Sequence, residues 1–215
     1  RVLQHARRDA RISGVVIEVD PLRAGWAKVE EVRDLIAAVR AAGKPVHALL
    51  TGDFIEEKEY SLGAAADRVL ASPESGLLLN GFAAEILFYR GAFDRLGIEP
   101  QFLQFKEYKS AAEPFINKAM SPAMREWVTA MLKDIDGRFV RYVSERRKID
   151  EPALRALMAR GGQTTGEAVK ARLLDGVGYR DELEQGLGGD DSKTGAKRHL
   201  ASAGRYLSAI GLQTQ

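Results

Sequence analysis

Short β-branched runs alternate with amphipathic segments along this chain, and that order restricts the fold more than any other feature of the sequence. Residues 14–19 predict a buried strand, because a short β-branched run beside a glycine has that signature. Residues 28–42 predict a helix, since their apolar positions recur at three- and four-residue steps before the stop signal of Gly43. Repeated alternation of this kind is typical of βαβ units with right-handed crossovers. The predicted fold is therefore α/β, with a mainly parallel sheet covered by helices.

The same patterns extend the prediction along the rest of the chain. Further strands are predicted at residues 45–50, 67–71 and 99–105. Further helices are predicted at residues 2–10, 58–66, 86–96, 151–158, 166–172 and 180–185. Ser121 and Pro122 are typical of a helix start, and the apolar stripe after them predicts one helix of about six or seven turns, residues 122–147.

One domain followed by a linker and tail is expected from the distribution of glycine and charge. Glycine, aspartate and lysine crowd residues 186–197, which predicts a linker, and residues 198–210 are only weakly helical. We therefore expect an α/β domain at residues 1–187. At residues 188–215 we expect a linker and a docking tail. The tail is predicted to be a helical C-terminal extension toward a carboxyl-terminal domain that is absent from this chain.

Composition excludes several classes of protein. The 32 Lys and Arg residues and 30 Asp and Glu residues are interleaved, whereas a nucleic-acid binder would carry a continuous basic face. Without cysteine there is no disulfide, thiol nucleophile or thiolate metal site. The three histidines, His5, His47 and His199, lie far apart, so we expect no metal site and no cofactor, and His47 is predicted to pack within a strand.

No run of 18 apolar residues occurs, and the chain begins at Arg1 without a signal-peptide pattern. We therefore expect it to be a piece of a longer protein, whose membrane anchor, if it has one, lies elsewhere.

One lysine, Lys109, lies at a predicted strand-to-helix junction. A lysine amine is a base only when neutral, and a free lysine titrates near about 10.4. The alternating strand residues before Lys109 and the two alanines after it predict a partly dry setting, which favours the neutral amine. Lys106 would act in the same direction, whereas contact with Glu107 or Glu113 would favour the ammonium form. The sequence leaves open which neighbour dominates.

Several motifs surround this lysine in a fixed order. The strongest is Tyr108-Lys109-Ser110-Ala111 followed by Glu113-Pro114-Phe115 and Met120-Ser121-Pro122; the others occupy residues 12–18, 43–46, 60–73, 79–82 and 165–178. Together they resemble the signal peptide peptidase A family, also called protease IV. The chain is similar to the amino-terminal half of its long, two-domain bacterial form, over nearly all of residues 2–187.

The resemblance implies a Clp-protease/crotonase-like α/β fold and a serine-type endopeptidase with a Ser/Lys dyad. Lys109 matches the family's general base, and Ser110 beside it is a candidate supporting residue. The implied substrates are signal peptides and other hydrophobic peptides. The implied partners are the carboxyl-terminal catalytic half and further copies of the protein in a homo-oligomer. The implied location is the bacterial inner (cytoplasmic) membrane, with the catalytic domain on the extracytoplasmic side.

The sequence departs from the family at the nucleophile. One-domain members carry it in a Ser-Gly-Gly-Tyr-like turn, where this chain has Glu57-Lys58-Glu59-Tyr60. The nucleophile is thus expected in the carboxyl-terminal half. We expect Ser61 and Ser72 to have helix, turn or cap roles. The family's glycine-rich oxyanion loop corresponds to residues 20–26, where Gly25 alone remains, so we expect a degenerate oxyanion site and an inactive isolated chain.

Two other classes stay open. A crotonase-type acyl-CoA enzyme would share the sheet topology, but it needs two intact backbone N–H loops around a thioester oxygen. A scaffolding or oligomerisation domain would merely inherit Lys109. A lysine directed into an apolar groove would support catalysis, and a lysine extended into solvent would support the scaffold.

Overall fold

The computed structural model describes residues 1–103, 109–187 and 200–211. The chain divides into two compact units. The first unit comprises Arg1–Asn80 and Tyr142–Gln215, and the second unit comprises Gly81–Arg141. The predicted linker at residues 188–199 lies outside the described residues.

The first unit holds the strands of the described residues. They are β1 Val15–Val19, β2 Val46–Leu50, β3 Phe54–Ile55, β4 Arg68–Ala71, β5 Gly76–Leu77, β6 Gln163–Thr164 and β7 Gly176–Val177. One sheet has the order β1-β2-β4-β7, and its neighbouring strands are all parallel. A smaller sheet has the order β3-β5-β6, in which the β5–β6 pair is antiparallel. The prediction of an α/β fold with a mainly parallel sheet is therefore confirmed.

The predicted helices are found in the predicted order; the helix at residues 122–147 has the predicted bounds, most others have shifted ends, and the short helix at residues 113–116 was not predicted. They are α1 Val2–Ala6, α2 Trp26–Ala41, α3 Glu57–Gly63, α4 Arg90–Leu96, α5 Glu113–Ile116, α6 Pro122–Arg147, α7 Glu151–Ala159, α8 Thr165–Lys170, α9 Arg180–Leu187 and α10 Ala203–Ala209. A single 3-10 turn, Ser110–Ala112, precedes α5.

One predicted strand is wrong in the part that the structure describes. Residues 99–103 form no strand, and the rest of that prediction, residues 104–105, lies outside the described residues. Leu103 is 94% exposed, so its apolar side chain has no core to join. Among the described residues this alternation of apolar and polar residues has no neighbouring strand to pair with.

The core of the first unit forms where helices cover the central strands. Ile36 and Val39 of α2 are fully buried, as are Val46 and Leu50 of β2. Helix α3 approaches β2 closely at Gly63, where an added Cβ would lie 2.6 Å from Leu50 Cδ2. A larger side chain at this position would overpack the core, which explains why a glycine ends this helix.

A polar network ties β4 to the segment that leads into β7. The guanidinium of Arg147 donates to both oxygens of Asp175 at 2.8 and 3.0 Å. The N–H of Val69 donates to Asp175 Oδ2 at 2.7 Å. Burial acts to raise the pKa of Asp175, but these hydrogen bonds from Arg147 and Val69 outweigh it and hold that pKa below its ordinary value.

The network predicts a pH-dependent loss of stability. Because the pKa of Asp175 is depressed in the folded state, its stabilisation is present above the ordinary aspartate pKa of about 3.9 and is lost as pH falls through the folded value. Asp175→Asn should lower the free energy of unfolding at pH 7 by about 1 kcal/mol, since water screens a partly exposed pair. The difference should shrink at pH 3 in urea titrations. Asp134→Asn, in an exposed pair with Arg138, is the control, and an equal pH effect there would contradict the prediction.

Candidate functional site

The predicted base lies in the second unit, at the boundary between exposed and buried residues. Lys109 directly precedes the 3-10 turn Ser110–Ala112 and is exposed. The next residues turn inward: Ser110 is 8%, Ala112 9% and Glu113 3% exposed. The partly dry setting predicted for Lys109 is thus found at its neighbours, whereas Lys109 itself is exposed in this chain.

Ser110, the candidate supporting residue, is held by an indole. Its Oγ accepts a hydrogen bond from Trp127 Nε1 on α6 at 3.1 Å. The hydroxyl of Ser110 is therefore engaged within the protein beside Lys109. The contact is compatible with the supporting role predicted for Ser110, which stays a prediction.

Glu113 anchors the same segment to the start of α6. Its Oε1 accepts from the Ser121 hydroxyl at 2.7 Å, and its Oε2 accepts from the Ser121 N–H at 3.0 Å. Ser121 Oγ in turn accepts from the N–H of Met124 at 3.1 Å, as a helix N-cap does. The sequence pattern raised the question of contact between Glu113 and the lysine but missed this link to Ser121. Glu113 lies eight residues before Ser121, a separation that no local capping pattern covers, so the sequence offered no signal for this link.

The other serines considered as nucleophiles have structural contacts. Ser61 is fully buried in α3, and its Oγ accepts from Arg33 Nη1 at 2.8 Å. Ser72 follows β4, where its N–H donates to the carbonyl of Leu50 and its carbonyl accepts from the N–H of Ser75. These contacts fit the helix and turn roles expected for both residues.

Two buried glutamates lie in the segment that the sequence analysis compared with the family's nucleophile turn. Glu57 and Glu59 lie in the first turn of α3 and are 8% and 4% exposed. Glu59 Oε1 accepts from the N–H of Leu22 at 2.6 Å, in the loop after β1. Glu57 Oε1 accepts from the N–H of Asn80 at 2.9 Å. Acidic side chains are favoured at a helix N-terminus, but their reach to Leu22 and Asn80 was not visible in the sequence.

The loop after β1 is bound by the chain's own side chains. The ammonium of Lys58 donates to the carbonyls of Leu22 and Ala24, each at 3.4 Å. Gly25 is the N-cap of α2, and its carbonyl accepts from the N–H groups of that helix. Within this loop the Leu22 N–H donates to Glu59 and is therefore not available to an oxyanion. The degenerate oxyanion role expected of Gly25 stays a prediction, and the loop as described serves to hold α2 and α3 together.

Other kinds of site find little support in the described part of the chain. In residues 1–103, 109–187 and 200–211 no group of three or more His, Cys, Asp or Glu is placed to hold a metal ion. His47 is half-buried in β2, as predicted; burial, together with the nearby charge of Arg68, lowers its pKa and favours the neutral ring. Across the same described residues, every helix is too short or too polar to span a bilayer.

Comparison with known proteins gives the family. Residues 38–189 match the model of Peptidase family S49, and the chain belongs to this family. It is 30% identical over 178 residues to a chloroplastic serine protease SPPA of Arabidopsis thaliana, a match of 83% of this chain and 26% of the relative. It is 27% identical over 194 residues to a protease 4 of Salmonella typhi, covering 86% of this chain and 31% of the relative. The matched region is thus about a quarter to a third of the length of these relatives.

Among solved structures, the chain matches a membrane-bound stomatin-specific protease in complex with a substrate peptide. That match has 14% identity and a TM-score of 0.45, and it covers 85% of this chain and 68% of the other. Family membership and the parallel strand order agree with the Clp-protease/crotonase-like class of α/β fold that was expected.

Proposed function

We propose that this chain supplies Lys109 as the general base of a Ser/Lys endopeptidase that degrades signal peptides and other hydrophobic peptides. The nucleophilic serine is supplied by a part of the protein outside these 215 residues. Membership of Peptidase family S49 and the names of the relatives support peptidase chemistry. The observation that carries the proposal is the anchoring of the backbone beside Lys109: the lysine leads directly into a segment held by buried Ser110 and Glu113.

The chemistry needs one group that both accepts and returns a proton. The neutral amine of Lys109 takes the proton of a serine hydroxyl while the serine oxygen forms a bond to the peptide carbonyl carbon. The resulting ammonium then gives that proton to the leaving nitrogen as the peptide bond breaks. Water hydrolyses the acyl-enzyme in the second half of the reaction, with the amine again as base. The serine oxygen and the amine must approach to about 3 Å.

Because Lys109 is exposed, the part of the protein that carries the serine must do more than supply the hydroxyl. A lysine amine acts as a base only in its neutral form, which removal from water favours, so the complementing surface is expected to cover Lys109 as well as deliver the hydroxyl. Under this proposal assembly completes the site, and the 215-residue chain alone has no peptidase activity. Homo-oligomers and attachment of the whole protein to a membrane are part of the same proposal.

The contacts of the described serines support an external nucleophile. Ser61 is fully buried and bonded to Arg33, and Ser110 is buried and bonded to Trp127. The bond from Leu22 to Glu59 also disfavours the crotonase alternative, because that N–H is not presented to a thioester oxygen.

A non-catalytic scaffold is the second candidate, and the exposure of Lys109 favours it. A serine-directed covalent inhibitor distinguishes the two candidates. They predict different results for which serine is labelled and for whether the labelling requires Lys109. We expect a hydrophobic peptide phosphonate to label the complete gene product on one serine outside this chain, located by peptide mass spectrometry. Lys109→Arg should abolish that labelling if Lys109 is the base. Labelling of Ser61, Ser72 or Ser110 would contradict an external nucleophile, and unchanged labelling of Lys109→Arg would support the scaffold.

A further inference from the structure

The backbone beside Lys109 is attached to one long helix at two points. Trp127 Nε1 binds Ser110, one residue after the lysine, and Ser121 binds Glu113, four residues after it. Both donors belong to α6 or to its N-cap, and α6 is 26 residues long. A third contact, from the N–H of Tyr89 to the carbonyl of Pro114 at 2.6 Å, fixes the same segment from another side.

Glu113 is an unusual residue to use as an anchor. It is 3% exposed, and burying a carboxylate costs free energy unless the charge is matched by hydrogen bonds. Here the hydroxyl and N–H of Ser121 donate to its two oxygens, and the positive end of the α6 dipole lies at the same place. Such a fully bonded carboxylate fixes both the direction and the distance of the segment that it joins to the helix.

The position of the Trp127 indole also brings its polar N–H, more than its apolar ring, into a buried contact. Trp127 is 37% exposed, so much of its ring is left uncovered, while its N–H reaches the buried hydroxyl of Ser110. A phenylalanine would keep part of the ring contacts and lose the hydrogen bond. The contact therefore restrains the residue next to Lys109 more than it fills a core.

We propose that Glu113 and Trp127 are positioning residues that fix the backbone of Lys109 relative to α6, so that its amine meets the incoming serine in a reactive geometry. The inference rests on the proposed function, since it needs Lys109 as the base. It goes further because it assigns the rigidity of the backbone beside Lys109 to Glu113 and Trp127. Neither side chain is proposed to contact the substrate or the nucleophile. Displacing a catalytic group by about 1 Å can lower a rate by about 100-fold.

Kinetics of the complete gene product test this assignment. Glu113→Gln and Trp127→Phe should each lower kcat by about 10- to 100-fold, with KM within about twofold of the parent. Ser121→Ala, which removes a donor to Glu113, should behave like Glu113→Gln, and Ser121→Thr, which keeps the hydroxyl, should restore most of the rate. Lys133→Ala, an exposed residue of α6, is the matched control and should leave kcat unchanged.

A second experiment observes Lys109 directly by NMR and does not depend on turnover. Reductive methylation with ¹³C-formaldehyde gives each lysine amine an NMR signal, and that of Lys109 is assigned by its absence in Lys109→Arg. In Glu113→Gln and Trp127→Phe the Lys109 signal should shift or broaden, while the Lys133 signal stays in place. Unchanged kcat in both variants, or an unshifted Lys109 signal in both, would overturn the inference.

The two proposals fail in different ways. If Lys109→Arg keeps full turnover, the proposed function fails whatever the positioning variants do. If Lys109→Arg is inactive but Glu113→Gln and Trp127→Phe keep full kcat, the base stands and the positioning inference fails. Should Glu113→Gln prove unfolded by its denaturation midpoint, Trp127→Phe decides alone, because it keeps the buried carboxylate and its partners.

Discussion

Replacement of Lys109 by arginine is expected to lower kcat/KM of the complete gene product by about 10²- to 10⁴-fold, the contribution of one positioned proton-transfer group. Arginine keeps the positive charge and nearly the length of lysine, but it stays protonated at any usable pH and cannot accept the serine proton. Alanine should cause a loss of similar size. The measurement is steady-state cleavage of a fluorogenic peptide with a hydrophobic residue at the cleavage position.

A neighbouring lysine provides the control for this experiment. Lys118 lies in the same unit and pairs with Asp94 at 2.8 Å on an exposed surface. Lys118→Arg keeps that pair and should leave kcat/KM within about twofold, since exposed ion pairs contribute little. Full turnover in both Lys109→Arg and Lys109→Ala would show that Lys109 is not the base and that the scaffold is the better description.

Removal of the Tyr60 side chain is expected to cause the largest loss of stability in the first unit. Tyr60→Ala should lower the free energy of unfolding by about 3–5 kcal/mol, the usual cost of truncating a buried aromatic residue. Tyr60 is fully buried, and its hydroxyl donates to the carbonyl of Leu173 at 2.7 Å. Burial raises the pKa of this phenol, so it remains a neutral donor over the whole working range of pH.

A second substitution separates packing from hydrogen bonding at this position. Tyr60→Phe keeps the ring and leaves the carbonyl of Leu173 without this donor, so a loss of about 1–3 kcal/mol is expected. Both values come from urea titrations with the slope of the transition compared between variants. Tyr179→Phe is the control, because Tyr179 is 52% exposed and donates to Glu74 at the surface. Equal losses in Tyr60→Phe and Tyr179→Phe would contradict the argument.

Elements with strong local signals could be predicted from the sequence. The start of α6 was predicted at Pro122 because a serine N-cap and a proline at the first helical position are independent indications of the same boundary. Strands β1 and β2 were predicted within one residue, since their short, mainly apolar runs are bounded by glycine or proline. Local chemistry decides these boundaries, so a single sequence contains the information.

Features that depend on distant parts of the chain could not be predicted. The exposure of Lys109 depends on which surfaces cover it in the folded protein. A local sequence motif does not determine this. The bond between Leu22 and Glu59 joins residues 37 positions apart, so the sequence showed Glu59 only as a departure from the family's nucleophile turn. Residues 99–103 had the alternation of a strand but no partner among the described residues, and pairing decides whether such a run becomes a strand.

The carboxylate of Glu59 has a consequence for protein engineering. Grafting a serine onto the first turn of α3 would not by itself create a second hydrolytic centre in the first unit. Glu59 would still hold the Leu22 amide, and Lys58 would still hold the carbonyls of that loop. A designer would have to replace Glu59 before the Leu22 amide could bind an acyl oxygen, and glycine in the loop would ease the required change of backbone conformation.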